Sequence, residues 1–309
     1  MGVSIFLTGV SGYLGSVLAT RLANIPEIDC ITGVYNTTTP APPSSPKVKF
    51  IQMDMRSPDL AKAMAGHEMV IHSAFVVTWK ARMPAQVRDD INFNGTRNIA
   101  GAAIKNRVQR FIYASSVAAY DLGVGRGKDG LGEDFPVGNG NLRLYYPDSK
   151  ALAEHLFTEI LGSFRIPLTL FRPCYITGPH DQAEIKGFRD NAAAFIGRDP
   201  RLQFVHEDDV AAAFAQAVRT EMHGAYNVVP DDYIRLSALN RLIGVKFAPT
   251  VPVWLARLVT YIQWRYFGST VHSSWVDITL VDATVSNAKL KSTGWAPRYT
   301  CEAAIRAAL

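Results

Sequence analysis

The sequence predicts an α/β chain, built as a doubly wound parallel sheet with a smaller, discontinuous C-terminal lobe. Three observations predict it. Short β-rich apolar runs alternate with helical patterns over the first half of the chain. Glycines spaced three apart follow the first run, and after Pro173 the alternation breaks down.

Taken in order, Val3–Thr8 is an apolar run of the kind that a parallel strand buried on both faces needs. It ends in glycines, and Tyr13–Ala23 then shows helical spacing. Further strands are expected at Ile31–Tyr35, Val48–Met53, Met69–Ser73, Arg110–Ser115 and Leu168–Phe171. Helical patterns fall between most of them, the longest at Ala85–Lys105. Right-handed crossovers between such strands wind the sheet on both faces. Leu202–Val205 and Ala225–Val229 read as strands returning to that sheet around a helix at Val210–Arg219. Residues 1–174, rejoined by about 202–230, then form the core, and 175–201 with 231–309 form the lobe. Thr37–Pro46, rich in Thr, Pro and Ser, reads as a mobile loop. Gly123–Gly140 holds seven glycines and suits either a lid or a plain surface loop.

Hydrophobic residues make up 48% of the chain and charged residues 19%, which excludes a disordered polymer. The net charge of +5 is spread without a Lys/Arg run, which argues against nucleic acid. Cys30, Cys174 and Cys301 lie far apart with no CxxC pair, so no disulfide framework or zinc site is expected and a reduced, cytoplasmic setting fits. The apolar start is too short for a signal peptide. No stretch of about 20 uncharged apolar residues predicts a transmembrane helix.

Chemistry concentrates in two places. Gly9, Gly12 and Gly15 occupy a strand-to-helix turn. The first permits the tight turn, the second lets backbone N–H groups of Tyr13 and Leu14 approach a pyrophosphate, and the third allows helix and strand to pack closely. A plain strand–helix turn needs one glycine and leaves two unexplained. Tyr146 and Lys150, four apart, share one face of a helical pattern, Pro147–Leu161. A neighbouring ammonium favours a phenolate and is expected to lower the tyrosine pKa toward the range of a general acid/base. Ser115 and Ser116 end a candidate strand, where hydroxyls point into the crevice that binds ligands in α/β folds.

These residues resemble the short-chain dehydrogenase/reductase superfamily in its extended, epimerase/dehydratase-like branch. The likeness runs through Thr8–Gly15, Ile91-Asn-Phe-Asn-Gly-Thr96, Phe111–Tyr120, Tyr146–Lys150, Phe171-Arg-Pro173, Phe204–Ala211 and Gly294-Trp-Ala-Pro297. It implies a Rossmann fold, an NAD(P) cofactor and a catalytic triad of Ser116, Tyr146 and Lys150. It further implies that Asp54 and Met55 border the adenine and that Ala74 and Phe75 line the dinucleotide crevice. Asn92, Ser115, Pro173 and Tyr175 complete the expected cofactor contacts, with Tyr35 and Asn36 beside the adenosine ribose.

Three departures narrow the reaction. The Asp-Glu pair of dehydratases is replaced by Val117 and Ala118, which cannot shuttle the protons of water elimination. The Asn with which sugar-nucleotide epimerases hold a diphosphate is replaced by Tyr175. The following stretch, His180–Gln203, is short, although Arg189, Arg198 and Arg201 remain candidates to bind a phosphate. Neutral Tyr35 and Asn36 remove the repulsion an acid offers a 2′-phosphate, which tips the choice between NAD and NADP slightly toward NADP.

Other signals have plainer readings. His206-Glu-Asp-Asp209 precedes a helix, where acids cap N–H groups more often than they hold a metal, and no metal is expected. Cys174 has no activating His in sequence and reads as inert. The aromatic segment Val251–Phe267 is a packed helix on the bland reading, a pocket wall on the best functional one, or a peripheral membrane contact. The expected function is hydride transfer between nicotinamide and an apolar alcohol/ketone substrate. The alternatives are a sugar-nucleotide epimerase and a non-catalytic dinucleotide-binding protein; a homodimer is compatible with all three.

Overall fold

Runs that the sequence presents without polar alternation become strands covered on both faces. The computed structural model describes residues 2–43, 45–77, 82–141, 144–181 and 183–309. Its central sheet contains β1 (Val3–Thr8), β2 (Ile28–Tyr35), β3 (Val48–Gln52), β4 (Met69–His72), β5 (Arg110–Ala114) and β6 (Leu168–Pro173). Two three-residue strands outside the sheet, β7 (Tyr175–Thr177) and β8 (Phe204–His206), pair with each other. The sheet closes with β9 (Gly224–Val228), and its order is β9-β6-β5-β4-β1-β2-β3 with every pairing parallel. The strand order reverses between β1 and β4, so a crevice opens at the carboxyl ends there.

Successive residues of β1 show why the apolar run is continuous. Ile5 and Leu7 join one core with Leu18, Leu22 and Phe214, whereas Phe6 joins the opposite core with Ile99, Phe111 and Phe157. The first core lies under α1 (Tyr13–Leu22) and the second under α2 (Gly95–Lys105) and α3 (Tyr145–Ser163). A third cluster, including Ile185, Phe195, Phe204, Leu239 and Ile305, packs beyond the sheet. It is built around α4 (Glu184–Asp190), the helices Leu236–Leu242 and Cys301–Arg306, α6 (Val253–Tyr266) and α7 (Ser274–Thr279), whereas α5 (Glu207–Arg219) packs on the first core.

Several expected elements need correction. Leu202–Val205 does not return to the sheet. Gln203 is buried in its middle and exchanges hydrogen bonds with the Val285 backbone, accepting at 2.8 Å and donating at 3.2 Å. The run is thereby split: Arg201–Leu202 pairs antiparallel with Ile234–Arg235, and Phe204–His206 pairs with β7. Ala85–Lys105 is not one α-helix, because a π-helical turn at Asp90–Asn94 interrupts it. That turn carries Asn92 inward, where it is tied to Val76 and Tyr145. The glycine-rich stretch 123–140 is anchored, with Leu131 bonded to Thr284 and Ser286 and Glu133 accepting from the Asn227 N–H. Thr37–Pro46 is irregular, and Ser44 within it lies outside the described residues.

Candidate active site

The glycine turn forms as its spacing requires. Gly9 has φ +79°, and a Cβ there would meet the Ala74 nitrogen at 2.7 Å. A Cβ on Gly15 would sit 2.1 Å from the Gly9 carbonyl oxygen, so only glycine lets α1 start this close to β1. The N-cap of α1 is Gly12, which offers no side-chain acceptor, and no acid occupies the first turn. An uncapped helix N-terminus without carboxylates suits an anion, so the turn fits a dinucleotide pyrophosphate. The Tyr13 side chain leaves this turn and donates to Glu207 Oε2 at 2.7 Å, linking α1 to α5. Glu207 is fully buried and also accepts from His180.

Ser116, Tyr146 and Lys150 converge at the carboxyl end of β5. Tyr145–Ser163 begins its helix with Asp148 accepting from the Leu144 N–H at 2.9 Å, and Pro147 lies in the first turn where its missing N–H costs nothing. Lys150 is buried and donates to the Ala114 carbonyl at 2.8 Å and the Tyr113 hydroxyl at 3.2 Å. Burial lowers its pKa to about 7, partly offset by Glu154. Glu154, one turn further along α3, accepts from Ser115 at 2.5 Å and forms a buried pair with Arg172 at 2.6 Å. This network holds α3 against β5 and β6 and so aims Lys150. The Ser116 Oγ accepts from the Ala118 N–H at 3.1 Å.

The Tyr146 ring stacks on Trp275, with centroids 5.3 Å apart. Its phenol departs from the expected electrostatics, because its pKa is pushed up to about 12. Burial raises it most, the Ser116 side chain pulls it down, and the Glu184 carboxylate raises it further. Glu184 itself is raised to about 7 by burial and by Asp181. Nothing in the sequence marked Glu184: it stands in the first turn of α4, and only the tertiary fold brings its carboxylate to the phenol. A negative charge beside a phenol disfavours its ionised form. Glu184→Gln is therefore expected to lower the pH at which the Tyr146 phenol ionises, read by ultraviolet difference titration against Tyr146→Phe. An unaltered phenol titration contradicts this coupling.

A cavity of about 360 Å³ joins these parts. Of the sequence-predicted residues, Gly9, Gly12, Tyr13, Leu14, Gly15, Phe75, Ser115, Ser116, Tyr146, Lys150, Pro173 and Tyr175 line it. Tyr35, Asn36, Asp54 and Met55 lie apart from that lining, at the ends of β2 and β3. There Asn36 donates to Asp54 at 3.0 Å, and Arg56 pairs with Asp54 and Asp90 at 2.7 and 2.6 Å. Hydrogen bonding from Arg56 holds Asp54 down at about 2. Ala74 backs onto Gly9, and Asn92 is spent on Val76 and Tyr145 rather than on the cavity. Of the three candidate phosphate-binding arginines, Arg201 lines the cavity, but Asp282 and Asp129 already pair with it. Arg189 is turned to the Ile243 carbonyl.

Tyr175, Glu184 and Trp275 also face a second cavity of about 210 Å³, floored by Ala193, Phe195, Leu236 and Asn240 and roofed by Ala256 and Thr260. The Tyr175 hydroxyl and Asn240 Oδ1 are the buried side-chain polar atoms without a hydrogen-bond partner among the described residues. The aromatic side chains of Val251–Phe267 do not wall either cavity, since α6 contributes only the small Ala256 and Thr260. His206, not an acid, caps α5 by accepting from the Asp208 N–H, while Glu207, Asp208 and Asp209 occupy its first turn. Burial raises the Cys174 thiol well above its ordinary pKa, which keeps it un-ionised. No helix among the described residues is long and apolar enough to cross a membrane.

Comparison with known proteins follows the same outline. The model of the NAD dependent epimerase/dehydratase family matches residues 5–229. The chain is 24% identical over 262 residues to an uncharacterised protein of Mycobacterium tuberculosis, covering 78% of this chain and 65% of that one. It thus spans less than two thirds of that relative. It is 30% identical over 148 residues to human 3 beta-hydroxysteroid dehydrogenase type 7, covering 44% of this chain and 38% of the enzyme. Among solved structures it resembles MoeE5 in complex with UDP-glucuronic acid and NAD, with TM-score 0.74, 18% identity and 99% and 97% coverage. The Thermus thermophilus UDP-glucose 4-epimerase complex with NAD matches with TM-score 0.71, 20% identity and 99% and 97% coverage.

Proposed function

The chain belongs to the NAD-dependent epimerase/dehydratase family, and within it we propose an NAD(P)-dependent oxidoreductase acting on an alcohol/ketone pair in a largely apolar substrate. One observation carries the reading. Tyr146, Ser116 and Lys150 meet at a cavity where, among the described residues, the arginine of the lining, Arg201, is already neutralised by two carboxylates. A diphosphate entering there would have to displace Asp282 and Asp129 and approach Glu184 as well. An apolar carbonyl compound faces no such cost. The partial likeness to a hydroxysteroid dehydrogenase supports the same substrate class.

In this reading the backbone N–H groups of Tyr13 and Leu14 hold the cofactor pyrophosphate, and Lys150 holds the ribose next to the nicotinamide. The nicotinamide, when bound, supplies or accepts the hydride. Ser116 holds the substrate oxygen. Tyr146 gives its proton to that oxygen in reduction and takes one back in oxidation. A phenol at about 12 carries its proton at neutral pH, as the donor role in reduction requires. The remainder of the substrate extends past Tyr175 into the second cavity, where Asn240 Oδ1 offers an acceptor to a hydroxyl or amide. Residues 175–201 and 231–309 then act as the substrate lobe. Tyr35 and Asn36 are neutral and Asp54 is already paired with Arg56, so NADP is admitted alongside NAD.

A second reading, sugar-nucleotide epimerisation, draws support from the fold shared with MoeE5 and the Thermus thermophilus epimerase. The two readings separate on ligand class: cofactor-loaded protein should bind a methyl ketone and leave UDP free, whereas an epimerase should do the reverse.

A further inference from the structure

Residues 233–276 contain Arg235, Arg241, Lys246, Arg257 and Arg265 and no aspartate or glutamate, and of these Arg257 is paired with Asp277, the residue that follows the stretch. The centre of this stretch forms α6, which presents its apolar side outward. Of its residues only Thr260 is buried. Trp254, Leu258, Tyr261, Ile262 and Arg265 recur at intervals of four, three, one and three, which sets them along one stripe of the helix. Trp254 is 63% exposed and Tyr266 71%; Phe267, just past the helix end, is 79% exposed, and Phe247, ahead of it, 81%. An amphipathic surface helix normally turns such residues to the core. Contiguous exposed apolar faces of this kind mark sites of association.

We propose that α6, with Phe247 and Phe267, is a docking face for an anionic bilayer surface, lying in the plane of the interface. Indole and phenol rings settle at the headgroup level of a bilayer, and flanking cations are drawn to anionic lipid. The composition argues against a second copy of this chain as the occupant, because self-association would set acid-free cationic segments against each other. Membrane entry is confined to the surface, since no helix among the described residues is long and apolar enough to cross. The opposite side of α6 supplies Ala256 and Thr260 to the second cavity, so the docked helix lies between the lipid surface and that cavity.

The test is flotation of the purified chain with vesicles of phosphatidylcholine alone, and with about one third phosphatidylserine added. Binding is expected with phosphatidylserine at low salt, and at least about tenfold weaker with phosphatidylcholine alone or near 0.5 M salt. The triple variant Trp254→Ser, Tyr266→Ser, Phe267→Ser and the charge variant Lys246→Glu, Arg265→Glu should each weaken it by at least about tenfold. Both variants should keep the cofactor affinity and unfolding temperature of the parent, because these side chains are exposed and line neither cavity. Failure to float with phosphatidylserine overturns the proposal, as does flotation unaffected by both variants. A dimer in the absence of lipid that the triple variant converts to monomer also overturns it and assigns the face to a second copy.

Discussion

Replacing Tyr146 by phenylalanine is expected to lower turnover at least about a hundredfold while cofactor affinity stays within about twofold. The split follows from what the hydroxyl alone supplies. The phenylalanine ring keeps the stacking on Trp275, so the cavity wall is retained. What disappears is the proton donor beside Ser116. Steady-state turnover and an equilibrium cofactor titration on the same preparation check both halves. Equal turnover in the two proteins removes Tyr146 from the chemistry.

Lys150→Met is expected to weaken cofactor binding at least about tenfold and turnover about a hundredfold, with a pH signature that a merely structural lysine lacks. The ammonium form is the donor that holds the ribose hydroxyls. In the cofactor-free protein burial brings its pKa to about 7, so it loses its proton as pH rises through that value. Binding then has to restore the proton. Cofactor affinity should be level below pH 7 and fall above it, by up to about tenfold per pH unit. The Lys150→Met variant should show a level profile across the same range. A parent affinity that is independent of pH from about 6 to 9 contradicts this role.

How far the sequence could be read depended on whether a residue's task was local. β1, β4 and β5 end within one residue of their expected limits, because strands buried on both faces need unbroken apolar runs. The glycine turn is equally local, since the space each glycine leaves is set by neighbours such as Gly9 and Ala74. The Tyr146–Lys150 spacing needs only a helix to place both on one face. Long-range pairing was not legible. Arg201 read as a free cation, yet Asp129 and Asp282, far away in the chain, neutralise it. Glu184 reaches Tyr146 only after α4 folds over the site. Gln203 divides a plausible strand because Val285, 82 residues later, supplies its partners. The aromatic face of α6 has a helical period, but periodicity does not say which side the core lies on.

The most direct test of the central claim loads the protein with reduced cofactor and titrates it with 2-decanone and, separately, with UDP. The account predicts that the ketone binds and oxidises the reduced nicotinamide in the parent protein. It predicts binding without appreciable oxidation in Tyr146→Phe, and no saturable binding of UDP. Micromolar binding of UDP with none of the ketone would contradict it and make the sugar-nucleotide reading the better one.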